Sequence, residues 1–207
     1  MSAIAGQDHA RIPLLALTEM TPEQRRIYDK VVSGPRGRLI GPLRAAIQSP
    51  ELAGRWSDLG EFLRFRTCLP ARLSELAIIA VGRRWTAQVE WWVHARTAIE
   101  VGLSSAVVES IRDLASPVFN DRADFEVYEF ARELQTTGQV SEGTYAAVMQ
   151  RWGDRGAVEL TAVIGYYTMV SMTLNAHRIP VPEPHEPLPE VGILVDLPPA
   201  RLHEGIA

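Results

Sequence analysis

Cysteine and lysine are almost absent from this chain: Cys68 is the only cysteine, and Lys30 is the only lysine among 21 basic side chains. A single thiol excludes an intrachain disulfide, a CxxC redox couple and a thiolate zinc site. Cys68 reads instead as a small, half-buried residue in the loop before Pro70. A Schiff-base enzyme needs a buried lysine of depressed pKa. Lys30 lies in TPEQRRIYDKVVSG, a surface-helix pattern, so lysine-dependent aldolase and pyridoxal phosphate chemistry are not expected. Basic excess is missing as well. With a formal net charge of −4 the chain has no means of neutralising a phosphate backbone, and no nucleic-acid partner is expected. The opening MSAIAGQDHARIPLL lacks a basic segment followed by a continuous apolar one, so no secretory signal is expected. A reducing, cytoplasmic location fits. No strand pattern and no 20–50-residue repeat is evident.

What the chain does have is apolar content, 46% of 207 residues, enough for one sizeable core. Helical signals follow one another along it. Thr21-Pro22-Glu23-Gln24 is a cap, a first-turn proline and first-turn polar residues; that helix should end by Gly34, at the GPRGRLIGP loop. Ser49-Pro50-Glu51 opens a helix through Trp56, Leu59 and Phe62 to about Phe65. After Pro70, apolar residues at Leu73, Leu76, Ala77, Ala80 and Val81 keep helical spacing. A break near Thr86 precedes AQVEWWVHARTAIEVGL, closed by Gly102, and Ser104-Ser105 start a short helix. Asp121 or Asp124 begins the next, which ends at Gly138. Ser141 with Thr144 opens one stopped by Gly153.

The last helix, Ala157 to Ala176, is nearly apolar and long enough for a membrane span. Polar residues within it and the lack of a flanking aromatic or basic girdle favour a buried core or subunit-interface helix, with no membrane partner. Prolines then become too dense for a regular element. The expected architecture is all-α: an arm over residues 1–20, a helical domain over 21–179, and an extended proline-rich tail over 180–207 that lies across a neighbouring surface or is partly disordered.

The chemistry-bearing block is RLSELAIIAVGRRWTAQVEWWVHARTAIEVGL. Glu90 and His94, four apart on one helix, emerge about 40° apart around the axis and can meet. Glu75 lies on the preceding helix beside Ile78 and Ile79. Carboxylates held against Trp91 and Trp92 would be partly desolvated, which raises a carboxyl pKa. Spacing alone leaves three readings open: a solvated surface pair, an acid/base site, or a metal site in which His94 joins Glu90 or Glu75. The other histidines, His9, His177, His185 and His203, fall mostly in the arm and tail.

The run Glu75-Leu76-Ala77, then Val89-Glu90-Trp91-Trp92-Val93-His94, then Ala98 to Gly102, resembles the core of the carboxymuconolactone decarboxylase family. Ile164-Gly165-Tyr166-Tyr167 through Val170, with Leu174-Asn175-Ala176, resembles a late helix of those proteins, and the likeness spans roughly Pro42 to Pro182. Alkyl hydroperoxidase D-like proteins of the same superfamily carry a redox site resembling E…C-x-x-C-x-x-x-H. Glu75 and His94 match its glutamate and histidine, but the cysteine positions are Ala87 and Glu90, so thiol peroxidase activity is not expected.

The resemblance implies an alkyl hydroperoxidase D-like helical bundle and a cofactor-free, metal-free lyase acting on a small carboxylated lactone or oxo acid, in aromatic catabolism. His94 is then the proton donor, Glu90 orients it, and Glu75 is a second acid/base or an anchor. Arg64, Arg66 and Arg72 are candidate carboxylate clamps, Trp91 a pocket wall, and Tyr166 and Asn175 polar handles. Relatives form trimers or hexamers, so a homo-oligomer is expected here, aided by the apolar late helix. Two alternatives remain: a non-catalytic small-acid-binding oligomer, and a metal-dependent enzyme.

Overall fold

The computed structural model describes residues 10–182, 186–192 and 194–206; His9 and His185 lie outside them. Among these residues the elements run as a short 3-10 turn at Leu17–Glu19, then α1 (Pro22–Ser33), α2 (Leu43–Ala46), α3 (Pro50–Phe65), α4 (Ala71–Arg84), α5 (Gln88–Glu100), α6 (Ser105–Arg112), β1 (Val118–Phe119), α7 (Arg122–Thr137), α8 (Glu142–His177) and β2 (Arg201–Leu202).

Local chemistry sets most of the boundaries. The Thr21 hydroxyl accepts from the Gln24 backbone N–H, while the Gln24 side chain accepts from the Thr21 N–H, a reciprocal cap that starts α1. Asp121, not Asp124, caps α7 by accepting from Ala123 N at 2.8 Å. That helix stops at Gly138 in the left-handed conformation, φ 75°. Gly153, expected to end one helix, is non-helical (φ 63°, ψ −170°) but makes a kink from which the chain resumes helix at once.

The bundle is organised around α4, in which every residue from Leu73 to Arg83 is buried. A helix covered on all sides must sit at the centre of its fold, and α5, α7 and α8 pack around it. Leu76, Ile78 and Ile79 are fully buried; truncating any of them to Ala would cost about 2–5 kcal/mol. The most apolar stretch of α8 has the length and hydropathy of a membrane span, and 56% of it is buried in the bundle.

The described residues of the proline-rich tail pack against their own chain. Leu188, Val195 and Leu197 are buried. β2 pairs with β1 as a two-residue parallel ladder, Val118 with Arg201 and Phe119 with Leu202. This small sheet was not legible in the sequence, because neither partner is long enough to carry an alternating pattern. At the other end, the backbone N–H of Arg11 donates to the carbonyl of His177 at 2.8 Å.

Candidate active site

Glu75, Glu90 and His94 meet. They come from the first half of α4 and the first two turns of α5, and all three are buried (5%, 4% and 4% exposed). His94 Nδ1 is 2.6 Å from Glu75 Oε2, a charge-assisted distance. The Glu75 carboxylate accepts from Nδ1–H there, which leaves Nε2 as the ring position turned to the other side. Glu90 Oε1 lies 3.1 Å from Nε2 but outside hydrogen-bonding alignment, so this oxygen is buried with no hydrogen-bond partner among the described residues. Burial pushes the Glu90 carboxyl above its ordinary range; Glu75 adds to the shift, while His94, Arg64 and Arg36 oppose it.

Glu90 and His94 open onto a small cavity, of about 40 Å³, that is partly open to solvent. Its floor is Tyr166 and Tyr167 from α8, and Val89, Val93 and Val170 supply apolar wall. The segment before α2 closes one side through Ile40, Gly41 and Pro42. Tyr167 stands edge-on to the His94 ring, centroids 5.2 Å apart, and Tyr166 stands edge-on to Tyr167. Burial raises both phenols, Tyr166 to about 12 and Tyr167 well above its ordinary value. Both therefore stay protonated donors at neutral pH.

Two guanidiniums enter the cavity, Arg64 from α3 and Arg36 from the loop after α1. Neither is in a salt bridge among the described residues, whereas Arg72, Arg112, Arg132, Arg151 and Arg155 all are. Arg36 Nη2 reaches the Tyr166 hydroxyl at 3.5 Å, and its buried Nε has no hydrogen-bond partner among the described residues. Tyr166 can occupy this position only because residue 60 has no side chain: a Cβ on Gly60 would lie 2.0 Å from the phenol oxygen and 2.4 Å from Arg36 Nη2.

The other residues singled out in the sequence stand elsewhere. Arg66 pairs with Glu61 on the surface at 3.4 Å. Arg72 binds Asp124, and Asp121 at 2.8 Å, which ties α4 to the start of α7. Trp91 packs in the hydrophobic core and does not line the cavity. Asn175 Nδ2 donates to the Trp85 carbonyl at 2.7 Å, anchoring the α4–α5 turn to α8. Cys68 is exposed, not half-buried; its backbone N–H donates to the Glu159 carboxylate. Among the described residues no three His, Cys, Asp or Glu side chains are grouped to hold a metal ion. The reason is visible at His94, whose two carboxylates sit at opposite ring nitrogens.

Arg36 and Tyr167 were missed by sequence reasoning. The glycine- and proline-punctuated GPRGRLIGP loop and the paired tyrosines were the available signals, but neither says which side chain turns inward.

No family model matches the chain, and no curated protein sequence matches it. Solved structures do. An uncharacterized peroxidase-related protein from Silicibacter sp. TM1040 superimposes with a TM-score of 0.67 at 12% identity, covering 86% of this chain and 94% of its own. An uncharacterized peroxidase-related protein with an alkylhydroperoxidase AhpD core, from Ralstonia eutropha JMP134, gives 0.67 at 12% identity, covering 83% and 92%. The debrominase Bmp8, solved in complex with 2,3,4-tribromopyrrole, gives 0.62 at 14% identity, covering 77% and 86%. The fold is thus the alkyl hydroperoxidase D-like helical one.

Proposed function

We propose that this protein is a cofactor-free acid/base lyase of the carboxymuconolactone decarboxylase type, acting on a small carboxylated lactone or oxo acid. The observation that carries the reading is the buried Glu75–His94 contact of 2.6 Å, which leaves His94 Nε2 beside Glu90 at a cavity lined by two arginines that have no salt-bridge partner among the described residues. Positions 87 and 90, where thiol-dependent relatives carry cysteine, are Ala and Glu, which favours proton transfer over thiol chemistry in the cavity.

In a decarboxylation, the carbon–carbon bond to the carboxylate breaks and carbon dioxide leaves. The electron pair passes into a conjugated carbonyl as an enolate, which then collapses as its carbon takes a proton. Arg36 or Arg64 faces the enolate oxygen as charge develops there, an electrostatic contribution that is large in a site shielded from water. The apolar wall suits the leaving carboxylate, which loses its charge as it departs. Glu90, whose carboxyl resists ionisation, supplies the proton directly or through His94. Glu75 orients the ring and stabilises its charged form. This division reverses the sequence expectation, in which Glu90 oriented the histidine, because it is Glu75 that is aligned with a ring nitrogen.

Incubation with a panel of carboxylactones and oxo acids, read as carbon dioxide release, tests this reading. Turnover by the wild type and its loss in a folded His94→Ala variant support it; an inert wild type overturns it.

The protein is also proposed to self-associate, as a trimer or hexamer, through the outward face of α8. Val158, Met169 and Met172 are exposed there at 68%, 38% and 50%, and Leu160 to Ala176 contains no charged residue. Such a face suits a partner equally free of charge, as another copy would be.

A further inference from the structure

Helix α5 begins without a cap of its own. Its N-cap residue is Ala87, which makes no side-chain cap hydrogen bond, although Glu90 lies in its first turn. The preceding residue, Thr86, has φ 45°, a conformation costly for a β-branched side chain and kept only where surrounding contacts impose it.

The contacts that impose it come from the tail. The Thr86 hydroxyl donates to the Gly192 carbonyl at 2.8 Å and accepts from Arg83 Nη1 at 3.2 Å. Gln88, the first residue of α5, holds Leu188 with both ends of its amide: Oε1 accepts from Leu188 N at 2.8 Å and Nε2 donates to Leu188 O at 3.3 Å. Val195 N donates to the Arg84 carbonyl at 2.9 Å, and Arg84 Nη1 returns a bond to Val195 O at 2.6 Å. Arg83, fully buried, reaches Pro189 O at 3.4 Å and Arg112 O at 2.7 Å. Leu188 and Val195 are buried alongside. From Arg83 to Gln88, every residue thus hydrogen-bonds to the C-terminal segment, to Asn175 of α8 or within its own turn. Glu90 itself has no hydrogen bond on Oε1 to hold it in place, so its approach to His94 depends on how α5 starts.

We propose that the C-terminal strap residues Leu188 and Gly192 are a working part of the site: they make Thr86 and Gln88 positioning residues that set the first turn of α5 and hold Glu90 against His94. The proposal rests on reading Glu90 and His94 as the acid/base pair, but its test does not need turnover. Groups facing Glu90 are His94 on α5, Glu75 on α4, Arg64 on α3, Arg36 from the loop, and Tyr166 and Tyr167 on α8; among the described residues the side chains of Thr86 and Gln88 hydrogen-bond to none of them.

The experiment uses the full chain as wild type, Thr86→Val, Thr86→Ser, and Thr86→Val combined with Gln88→Ala, with two readouts. Amide hydrogen exchange at Leu188 and Val195 reports the tail, and the carboxyl carbon signal of Glu90 against pH reports its burial. In the double variant, exchange at Leu188 is expected to quicken about tenfold or more as its anchoring bonds are lost. The Glu90 titration should move down towards that of an ordinary glutamate as water reaches it, and Thr86→Ser should behave as wild type. Thr86→Val alone gives the same two readings in smaller degree if the double variant does not fold. A released tail with an unmoved Glu90 titration overturns the proposal, as does a tail that stays protected in every folded variant. A moved Glu90 titration in a protein that turns over nothing keeps the proposal and sinks the lyase instead.

Discussion

Glu75 Oε2 sits 2.6 Å from His94 Nδ1 across the α4–α5 interface, nineteen residues apart in sequence and both almost entirely buried. One ring nitrogen is thus committed to a carboxylate within the core, and only the other is left for chemistry. Replacing Glu75 by Gln keeps the size of the side chain but removes the charge that stabilises an imidazolium. kcat is expected to fall by about 10²- to 10⁴-fold, the range of general acid/base effects, with KM much less changed. Steady-state kinetics on the substrate found by the panel check this; a kcat within a few-fold of wild type would remove Glu75 from the mechanism.

Glu90 gives a pH-dependent signature in stability. Its carboxyl titrates higher in the folded chain than in the unfolded one, so across that interval the folded state binds more protons. Stability associated with this group is full below the unfolded value and is lost as pH rises through the folded one. Glu90→Gln, which cannot ionise, should melt close to wild type near pH 4 and above it at pH 7 to 8. Thermal melts across that range decide the matter, and a gap that narrows with rising pH would contradict the burial of a reluctant acid.

Arg36 and Arg64 are expected to receive the substrate carboxylate or the developing enolate oxygen. Arg36→Ala should weaken binding of a small carboxylate by roughly tenfold or more, and Arg36→Lys should not restore it fully, since a point charge lacks the planar fork. Arg66→Ala, at a surface pair away from the cavity, is the control. Equal losses in both variants would mean a diffuse charge effect rather than a site.

At Gly60 the prediction is steric. A methyl there meets the Tyr166 hydroxyl and Arg36 Nη2 at distances no side chain tolerates, so Gly60→Ala should destabilise by about 1–3 kcal/mol and displace Arg36. Gly143→Ala in the first turn of α8, where the added methyl meets nothing within 4 Å, should be neutral or gain up to ~1 kcal/mol. Denaturant unfolding of the two variants side by side is the measurement.

Self-association through α8 predicts that wild-type protein sediments as an oligomer and that Met172→Glu shifts it towards monomer. A charge buried in such an interface costs several kcal/mol unless it finds a partner. A monomeric wild type at micromolar concentration would end that proposal.

The helices were legible because their signals are local. Thr21 with Gln24, Ser141 with Thr144, Gly138, Gly102 and the 3.6-residue spacing of α4 act within a turn or two of themselves. Glu75 and His94 were singled out through the family resemblance, which supplies their nineteen-residue offset; that Glu75 rather than Glu90 meets Nδ1 was decided by the packing of α4 on α5. Tertiary structure alone decided the rest. Arg72 was drawn to Asp124, fifty-two residues away, and Asn175 to Trp85, ninety away, because a partly buried charge or amide takes whichever partner the packing brings. Arg36 and Tyr167 reached the cavity through a loop path and a helix rotation that no local pattern specifies. The tail, read from its prolines as a segment without regular structure, became a strap because the α4–α5 turn presented donors and acceptors that it could satisfy. Sequence alone therefore determined most of the helices, though not α2 or the continuity of α8 across Gly153, and marked the residue types of the candidate site. The arrangement of those residues around His94 came from packing, since only long-range contacts determine which oxygen faces which nitrogen.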